Sequence, residues 1–214
     1  MQIDSNSKMI YVHIPRTGGS WFTYSWKSHT EQKGKYICTA SQLVNTKSRK
    51  TTPCGNHGRL LGILEQLKKI DADVSGYKVI TLVRHPIDRI LSSWSWFSEV
   101  KETAKRMKWK TIDDMLDSFE QARFKAEYMP QTHWLCQPGV KWDHIFRFED
   151  ALTGAYEIKK VFPEWNPKKS GWLSRQGRTK GYKKYLTNNQ INRIKKLYSD
   201  DIKYLAPYYE DLNR

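Results

Sequence analysis

HIPRTGGSW, at residues 13–21, stands between a short apolar run at Met9–Val12 and a segment rich in aromatic and small residues. The apolar run predicts a buried strand over 9–14, and the segment after the turn predicts a helix over 18–29. A strand, a glycine-containing turn and a helix in this order aim backbone N–H groups and a helix N-terminus at a phosphate. The two glycines allow a close backbone approach, and the arginine adds a cation to the loop.

The loop differs from the usual triphosphate-binding loop, G-x-x-x-x-G-K-[ST], in which a lysine reaches the outer phosphates and a hydroxyl binds Mg²⁺. Here Gly19 is followed by Ser20, and the cation, Arg16, precedes the glycines. Thr17 and Ser20 add hydroxyl donors. Taken alone, the segment is also compatible with an ordinary tight turn between a strand and a helix, so its assignment depends on a second motif.

That second motif is RHPIDRILSSW, at residues 84–94, which follows another predicted buried strand at 78–84. Pro86 suits the first turn of the helix that comes next. Arg84 lies where the strand ends, and Ser92 follows two turns into the helix. Because a guanidinium fork matches the oxygens of a phosphate, this strand end predicts a second phosphate site.

Together, the two motifs resemble those of sulfotransferases that use 3′-phosphoadenosine 5′-phosphosulfate (PAPS). The first is similar to their 5′-phosphosulfate loop, and the second to their 3′-phosphate motif, R-x-P-x-x-R-x-x-S followed by aromatic residues. The form of the first loop is closest to carbohydrate sulfotransferases of the Golgi type, including heparan sulfate 2-O-sulfotransferase. The resemblance runs from about Met9 to about Tyr209 and includes Pro130-Gln131, 147–149 and the basic segment 175–185.

This resemblance implies PAPS as co-substrate, 3′-phosphoadenosine 5′-phosphate (PAP) as product, and no metal. The residues expected to bind the donor are Arg16, Thr17, Gly18, Gly19, Ser20, Trp21, Arg84, Ser92, Arg178 and Lys180. Arg178 and Lys180 belong to a basic segment that closes over the nucleotide in relatives, although a merely solvated charge run has the same composition. Arg16 departs from the family, which usually has lysine there, and the two side chains are not interchangeable at a tight site.

His57 and Arg16 are the expected catalytic residues. His57 lies between the two motifs, just before a predicted helix, at a position similar to the catalytic histidine of the 2-O-sulfotransferase branch. An imidazole has a pKa suited to taking a proton at neutral pH, and Arg16 can neutralise charge on the leaving group. A loop or N-capping histidine is the alternative for His57, with His133 and Glu149 as the other candidate bases.

The pattern of the remaining chain predicts a three-layer α/β sandwich with a central parallel sheet, which is the P-loop NTPase-like fold of sulfotransferases. Strands alternating with helices favour parallel pairing, and ligands of such sheets bind at the carboxyl ends of the strands. The predicted strands are 9–14, 36–39, 78–84 and 141–148, and the predicted helices are 18–29, 60–70, 87–100, 111–127, 152–162 and 188–205.

Length and composition favour one folded domain over residues 1–214, since the chain has nine Trp and twelve Tyr in 214 residues. No apolar stretch approaches the roughly 18 residues of a membrane span, and Met1–Lys8 is too polar for a signal peptide. The three cysteines are an odd number without metal-ligand spacing. Free thiols fit a reducing compartment, so we expect a cytoplasmic protein.

The net charge of +15 favours anionic partners. We expect two partners, an anionic nucleotide donor and a hydroxyl acceptor that is a glycan or glycolipid. We expect no nucleic-acid partner and no transmembrane segment. Two other classes stay open at this point: a P-loop nucleotide kinase, which shares the fold, and a basic nucleic-acid-binding module. The absent Gly-Lys-Ser/Thr disfavours the kinase, and two phosphate motifs at strand ends disfavour the binding module.

Overall fold

A five-stranded sheet forms the centre of the molecule. The computed structural model describes residues 2–4, 7–32, 38–39, 59–69, 71, 73–99, 109–121, 128–153, 157–163, 165 and 182–213.

Three strands of this sheet are parallel: β2 (Met9–Val12), β4 (Lys78–Val83) and β5 (His144–Arg147). At one edge, β1 (Gln2–Asp4) runs antiparallel to β2 and to the short β3 (Cys38–Thr39). The order across the sheet is β3-β1-β2-β4-β5. The predicted α/β class is therefore confirmed, and β1 is the one strand among these five that runs opposite to the others.

The sequence did not predict β1, because Gln2 and Asp4 are polar. Both side chains are nevertheless buried. The Asp4 carboxylate accepts a hydrogen bond from the Trp26 indole at 2.9 Å and another from the Ser7 hydroxyl at 3.0 Å. A buried carboxylate with partners is tolerated, so tertiary contacts rather than an apolar pattern place this strand.

The strand β2 is buried on both faces, as its continuous apolar run predicts. Ile10 and Val12 pack on one side of the sheet against Leu60 and other residues, and Met9 and Tyr11 pack on the opposite side. Helices therefore cover both faces, and the molecule has three layers. This arrangement confirms the predicted sandwich and leaves the strand ends as the accessible edge of the sheet.

The helices found within the described residues largely follow the predicted ones. They are α1 (Gly19–Gln32), α2 (Leu60–Lys69), α3 (Pro86–Glu99), α4 (Ile112–Glu120), α5 (Thr132–Leu135), α6 (Phe148–Thr153), α7 (Glu157–Val161), α8 (Asn188–Leu197) and α9 (Ser199–Leu205). Single turns of 3₁₀ helix lie at Tyr182–Lys184, Ala206–Tyr208 and Glu210–Asn213.

The helix predicted over 188–205 is instead two helices, α8 and α9, which meet at Tyr198. The buried Tyr198 hydroxyl donates to the carbonyl oxygen of Tyr128 at 2.7 Å. A long-range contact thus fixes the break, and the local sequence carries no proline or glycine that would announce it. Two acidic residues then stand in the first turn of α9, where the helix dipole favours them.

Two other predicted helices also differ from the structure. The helix predicted over 111–127 ends at Glu120, and residues 122–127 lie outside the described part. Of the helix predicted over 152–162, the described residues up to Val161 belong to α6 and α7, and residues 154–156 lie outside the described part. The helix α6 begins directly after β5, earlier than predicted.

Across the described residues, none of the helices is both long enough and apolar enough to span a membrane. Cys136 is an exposed free thiol, in line with the expected reduced cysteines. The side chains of Cys38 and Cys54 lie outside the described part of the chain.

Candidate functional site

The two phosphate motifs meet at the edge where the parallel strands end. Val83, the last residue of β4, pairs with Arg147, the last residue of β5. An Nη atom of Arg16 donates to the carbonyl oxygen of Ser92 at 2.9 Å and to its hydroxyl at 3.3 Å. A guanidinium nitrogen of Arg84 lies 3.4 Å from the carbonyl oxygen of Arg16. The residues predicted to bind two separate phosphates are therefore in direct contact.

The loop between β2 and α1 has an unusual backbone. Arg16 and Gly18 both have positive φ, at 65° and 87°, and a non-glycine residue in this region is uncommon. Inside the loop, the Thr17 hydroxyl donates to the carbonyl oxygen of Ile14 at 2.9 Å. That hydroxyl proton is not available to a phosphate, so of the donor groups predicted for Thr17 only the backbone N–H can bind the nucleotide.

Gly18 and Gly19 are needed for packing inside the protein as well as for the expected approach of a phosphate. A Cβ added to Gly18 would lie 2.1 Å from Cδ2 of Phe148, and one added to Gly19 would lie 1.9 Å from Cδ2 of His13. No side chain fits at such distances. Phe148, the first residue of α6, and His13, the first residue after β2, therefore pack directly against the loop backbone.

The N-terminus of α1 supplies the backbone donors of the loop. The hydrogen bond from the Phe22 N–H to the carbonyl oxygen of Gly18 (3.0 Å) is the first of the helical series, which leaves the N–H groups of Gly19, Ser20 and Trp21 without helical acceptors. The Ser20 side chain is exposed. The Trp21 ring is buried in the core, so only the backbone of this predicted donor-binding residue can face a ligand.

Arg84 lies behind this loop and is 3% exposed. Its guanidinium carbon stands 5.2 Å from the centre of the Phe148 ring, a distance typical of a cation–π contact. Burial lowers the pKa of Arg84, while the carboxylates of Glu149 and Asp88 act in the opposite direction. A buried guanidinium near the exposed end of α1 is suited to an anion that enters from the sheet edge.

Glu149 fixes the backbone of the second motif. One carboxylate oxygen accepts from the His85 N–H at 2.9 Å, and the other accepts from the Tyr209 hydroxyl at 2.7 Å. The His85 ring is stacked on Tyr182, and its Nε2 lies 3.3 Å from the Asp211 carboxylate. Because both oxygens of Glu149 are engaged, this geometry supports an orienting role and leaves it poorly placed as a base.

Two further residues that lie behind Arg84, Gln131 and Asp201, were not predicted from the sequence as part of the site. Gln131 contacts the backbone of Arg84, and Asp201 contacts Gln131, across 47 and 70 residues of sequence respectively. Such separations leave no local pattern. The one available signal was the Pro130-Gln131 pair within the family resemblance, and nothing in the sequence singled out Asp201.

Asp88, in the first turn of α3, has a strongly raised pKa. Burial raises the pKa of Asp88 from an ordinary value of 3.8 to about 6; nearby Arg84 lowers it, and Glu149 raises it further. The proton of this group is therefore bound more tightly in the folded protein than in the unfolded chain.

We expect Asp88→Asn to stabilise the fold relative to the wild type above about pH 6. The stability that protonated Asp88 contributes is complete below about pH 4 and is lost as the pH rises through about 6. Urea unfolding at several pH values from 4 to 8 should therefore show a difference between variant and wild type that grows from about pH 4 to about pH 6 and is constant above that range. Asp200→Asn is the control, because it also removes an acid from the first turn of a helix, here at an exposed position in α9. A pH-independent difference between Asp88→Asn and the wild type would refute the prediction.

The predicted catalytic His57 and the predicted donor residues Arg178 and Lys180 lie outside the described residues. Arg59 is the first described residue after His57. The N–H of Leu61 donates to the Gln137 side chain at 3.1 Å, so α2 begins beside the segment that follows α5. His133 is half-buried; burial lowers its pKa, and the charge of Arg59 lowers it further.

An exposed aromatic side chain borders the first loop. Trp96 is 40% exposed, and its ring centre lies 5.3 Å from the guanidinium carbon of Arg16. It stands one turn beyond Ser92 on α3, so it shares a face with that residue. The sequence could not distinguish this aromatic from the many that fill the core.

Among the residues that the structure describes, no three His, Cys, Asp or Glu side chains form a group that could bind a metal ion. The described site consists of arginines, hydroxyls and backbone donors, which are groups that bind phosphate oxygens.

Comparison with known protein families matches residues 1–209 to the sulfotransferase family. Searches of curated proteins and of solved structures return no match. The match covers almost the whole chain and includes both phosphate motifs and the segment from β5 to α9. Together with the three-layer fold and the two motifs joined at the strand ends, it shows that this chain belongs to the sulfotransferase family and is built for sulfuryl transfer.

Proposed function

We propose that the protein transfers the sulfuryl group of PAPS to a hydroxyl of a carbohydrate acceptor and releases PAP. The contact of Arg16 with Ser92, beside the buried Arg84, is the observation that carries this proposal. It brings two arginines and a helix N-terminus to one sheet edge. A donor with phosphates on both the 5′ and 3′ positions of one ribose matches this pairing, which ATP does not.

In this proposal, the N–H groups at the start of α1 bind the 5′-phosphosulfate, since a helix N-terminus is a ready anion site. Arg84 and Ser92 bind the 3′-phosphate. Arg16 extends from the first motif to the second, so its charge bears on both ends of the donor. Arg178 and Lys180 close over the nucleotide, as the family resemblance implies.

The reaction is an in-line displacement at sulfur. The acceptor oxygen forms a bond to sulfur while the bond from sulfur to the 5′-phosphate oxygen breaks, and His57 takes the proton of the acceptor hydroxyl. Arg16 neutralises the charge that develops on the leaving phosphate. Positioning and electrostatic stabilisation supply most of the rate enhancement in transfers of this type.

The acceptor proposal rests on surface chemistry beside Arg16. The exposed Trp96 ring presents a flat apolar face there, and such faces suit the apolar side of a sugar ring. The net charge of +15 would attract carboxylated or sulfated glycans. Neutral glycans and glycolipids belong in the same acceptor panel.

We expect label from [³⁵S]PAPS to reach a member of a glycan panel, and the rate to survive EDTA because Arg16 and backbone donors take the place of a metal. Loss of transfer in EDTA with recovery in Mg²⁺ would contradict this scheme. Transfer of a phosphoryl group from ATP would favour the kinase alternative. Stabilisation by an oligonucleotide, without stabilisation by PAP, would favour the nucleic-acid-binding alternative.

A further inference from the structure

The side chain of Gln131 binds both backbone polar groups of Arg84. The Arg84 N–H donates to its Oε1 at 3.0 Å, and its Nε2 donates to the Arg84 carbonyl oxygen at 2.8 Å. Arg84 is the first residue after β4, where pairing with β5 has ended. The fully buried amide of Gln131 therefore binds both backbone groups at the first position beyond the strand.

Gln131 is itself fixed by a carboxylate from α9. One oxygen of Asp201 accepts from the Gln131 N–H at 2.8 Å, and the other accepts from the N–H and the hydroxyl of Thr132 at 2.8 and 3.0 Å. Asp201 is fully buried. Burial raises its pKa, and the positive charge of Arg89 and these hydrogen bonds act in the opposite direction.

The same carboxylate also stands behind the first motif. Arg89, the cation that faces Asp201, donates from Nε to the carbonyl oxygen of Pro15 at 2.9 Å. Pro15 immediately precedes Arg16 in the phosphate loop. Asp201 thus binds Gln131 behind the strand end, and its charge acts on Arg89, which bonds the backbone of the loop.

We propose that Gln131 is a positioning residue for the donor's 3′-phosphate, acting through the backbone of Arg84. This inference rests on the proposed function. No hydrogen bond described for Gln131 reaches the guanidinium group, so its effect on a ligand passes through the direction in which the Arg84 side chain leaves the sheet. Charged hydrogen bonds to phosphate depend strongly on that direction, and a site needs its supporting residues to remain in productive geometry.

A purely structural role for Gln131 makes a different prediction. If the amide only satisfies two buried backbone groups, its loss would destabilise the fold and weaken all nucleotides alike. If it positions Arg84, its loss would weaken ligands that carry a 3′-phosphate more than ligands that lack one. The ratio of the dissociation constants of 5′-AMP and PAP separates these cases, because general destabilisation cancels in the ratio.

The test is Gln131→Met, which keeps approximate size and removes both hydrogen bonds. We expect the ratio to fall about tenfold, mainly through weaker PAP binding, since one charged hydrogen bond has about that effect. The matched control is Gln137→Met. Gln137 is also buried and also bonds backbone groups, those of Leu61 and Trp134, but it does not contact Arg84.

An unchanged ratio in folded Gln131→Met, or an equal fall in the control, would overturn the proposal. If Gln131→Met does not fold, Gln131→Asn replaces it, because asparagine adds no charge beside the phosphate site and its shorter amide cannot keep both hydrogen bonds to Arg84. The ratio is again expected to fall, and a wild-type ratio would overturn the proposal. Equal binding of both nucleotides by the wild-type protein would instead refute the donor assignment in the proposed function.

Discussion

Replacing Arg84 by alanine is expected to remove most of the preference of this protein for PAP over 5′-AMP. The guanidinium is the buried cation at the end of β4, and a charged hydrogen bond to phosphate contributes about 1.5–3 kcal/mol. The expected loss of preference is therefore about 10- to 150-fold. Isothermal titration of both nucleotides against wild type and variant measures it directly.

Arg147→Ala is the matched control for this experiment. Arg147 also ends a parallel strand, but its guanidinium is bonded to Asp150 and to the carbonyl oxygen of Tyr208. Its removal should leave the preference intact. Arg84→Lys keeps the charge without the fork and should give an intermediate preference. A wild-type preference in folded Arg84→Ala would disprove the assignment of this residue to the 3′-phosphate.

The strands and the two motifs could be predicted because their signals are local. β2 is buried on both faces and appears as an unbroken apolar run, and β4 is apolar from Val79 to Val83 except for the buried Thr81. The spacing between Arg84 and Ser92 is set by one strand end and one helix. The parallel pairing of β2 with β4, in which Val12 lies opposite Thr81, then brings the two motifs to the same edge of the sheet.

The residues that support the site could not be predicted, because their roles come from distant contacts. Gln131 has no helical or strand pattern that marks it, and its partner Asp201 lies on a helix whose start at Ser199 depends on the break at Tyr198. A single helix over 188–205 would have placed Asp201 on a different face. Thr17 differs, because its contact is local: its hydroxyl donates to the carbonyl oxygen of Ile14, three residues earlier, and only the conformation of the loop brings the two groups together.

Replacing His57 by alanine is expected to lower turnover by about 10²–10⁴-fold, the usual contribution of a positioned base. His57 precedes Arg59 by two residues, and Arg59 lies close enough to His133 to influence its pKa. PAP affinity should change little, since the phosphates are assigned to the α1 N-terminus, Arg84 and Ser92. Steady-state turnover with a sulfated acceptor and PAP titration should be measured on the same preparation.

His133→Ala provides the comparison, because His133 is the other histidine considered as a base, and burial and the charge of Arg59 both lower its pKa. If His57 is the base, His133→Ala should retain most of the turnover. A large loss in His133→Ala together with near-normal turnover in His57→Ala would transfer the role to His133. Glu149 is a weaker candidate than either, since the His85 N–H and the Tyr209 hydroxyl already engage its two oxygens. Loss of both turnover and PAP binding in His57→Ala would show that this residue supports the donor site instead of acting on the acceptor.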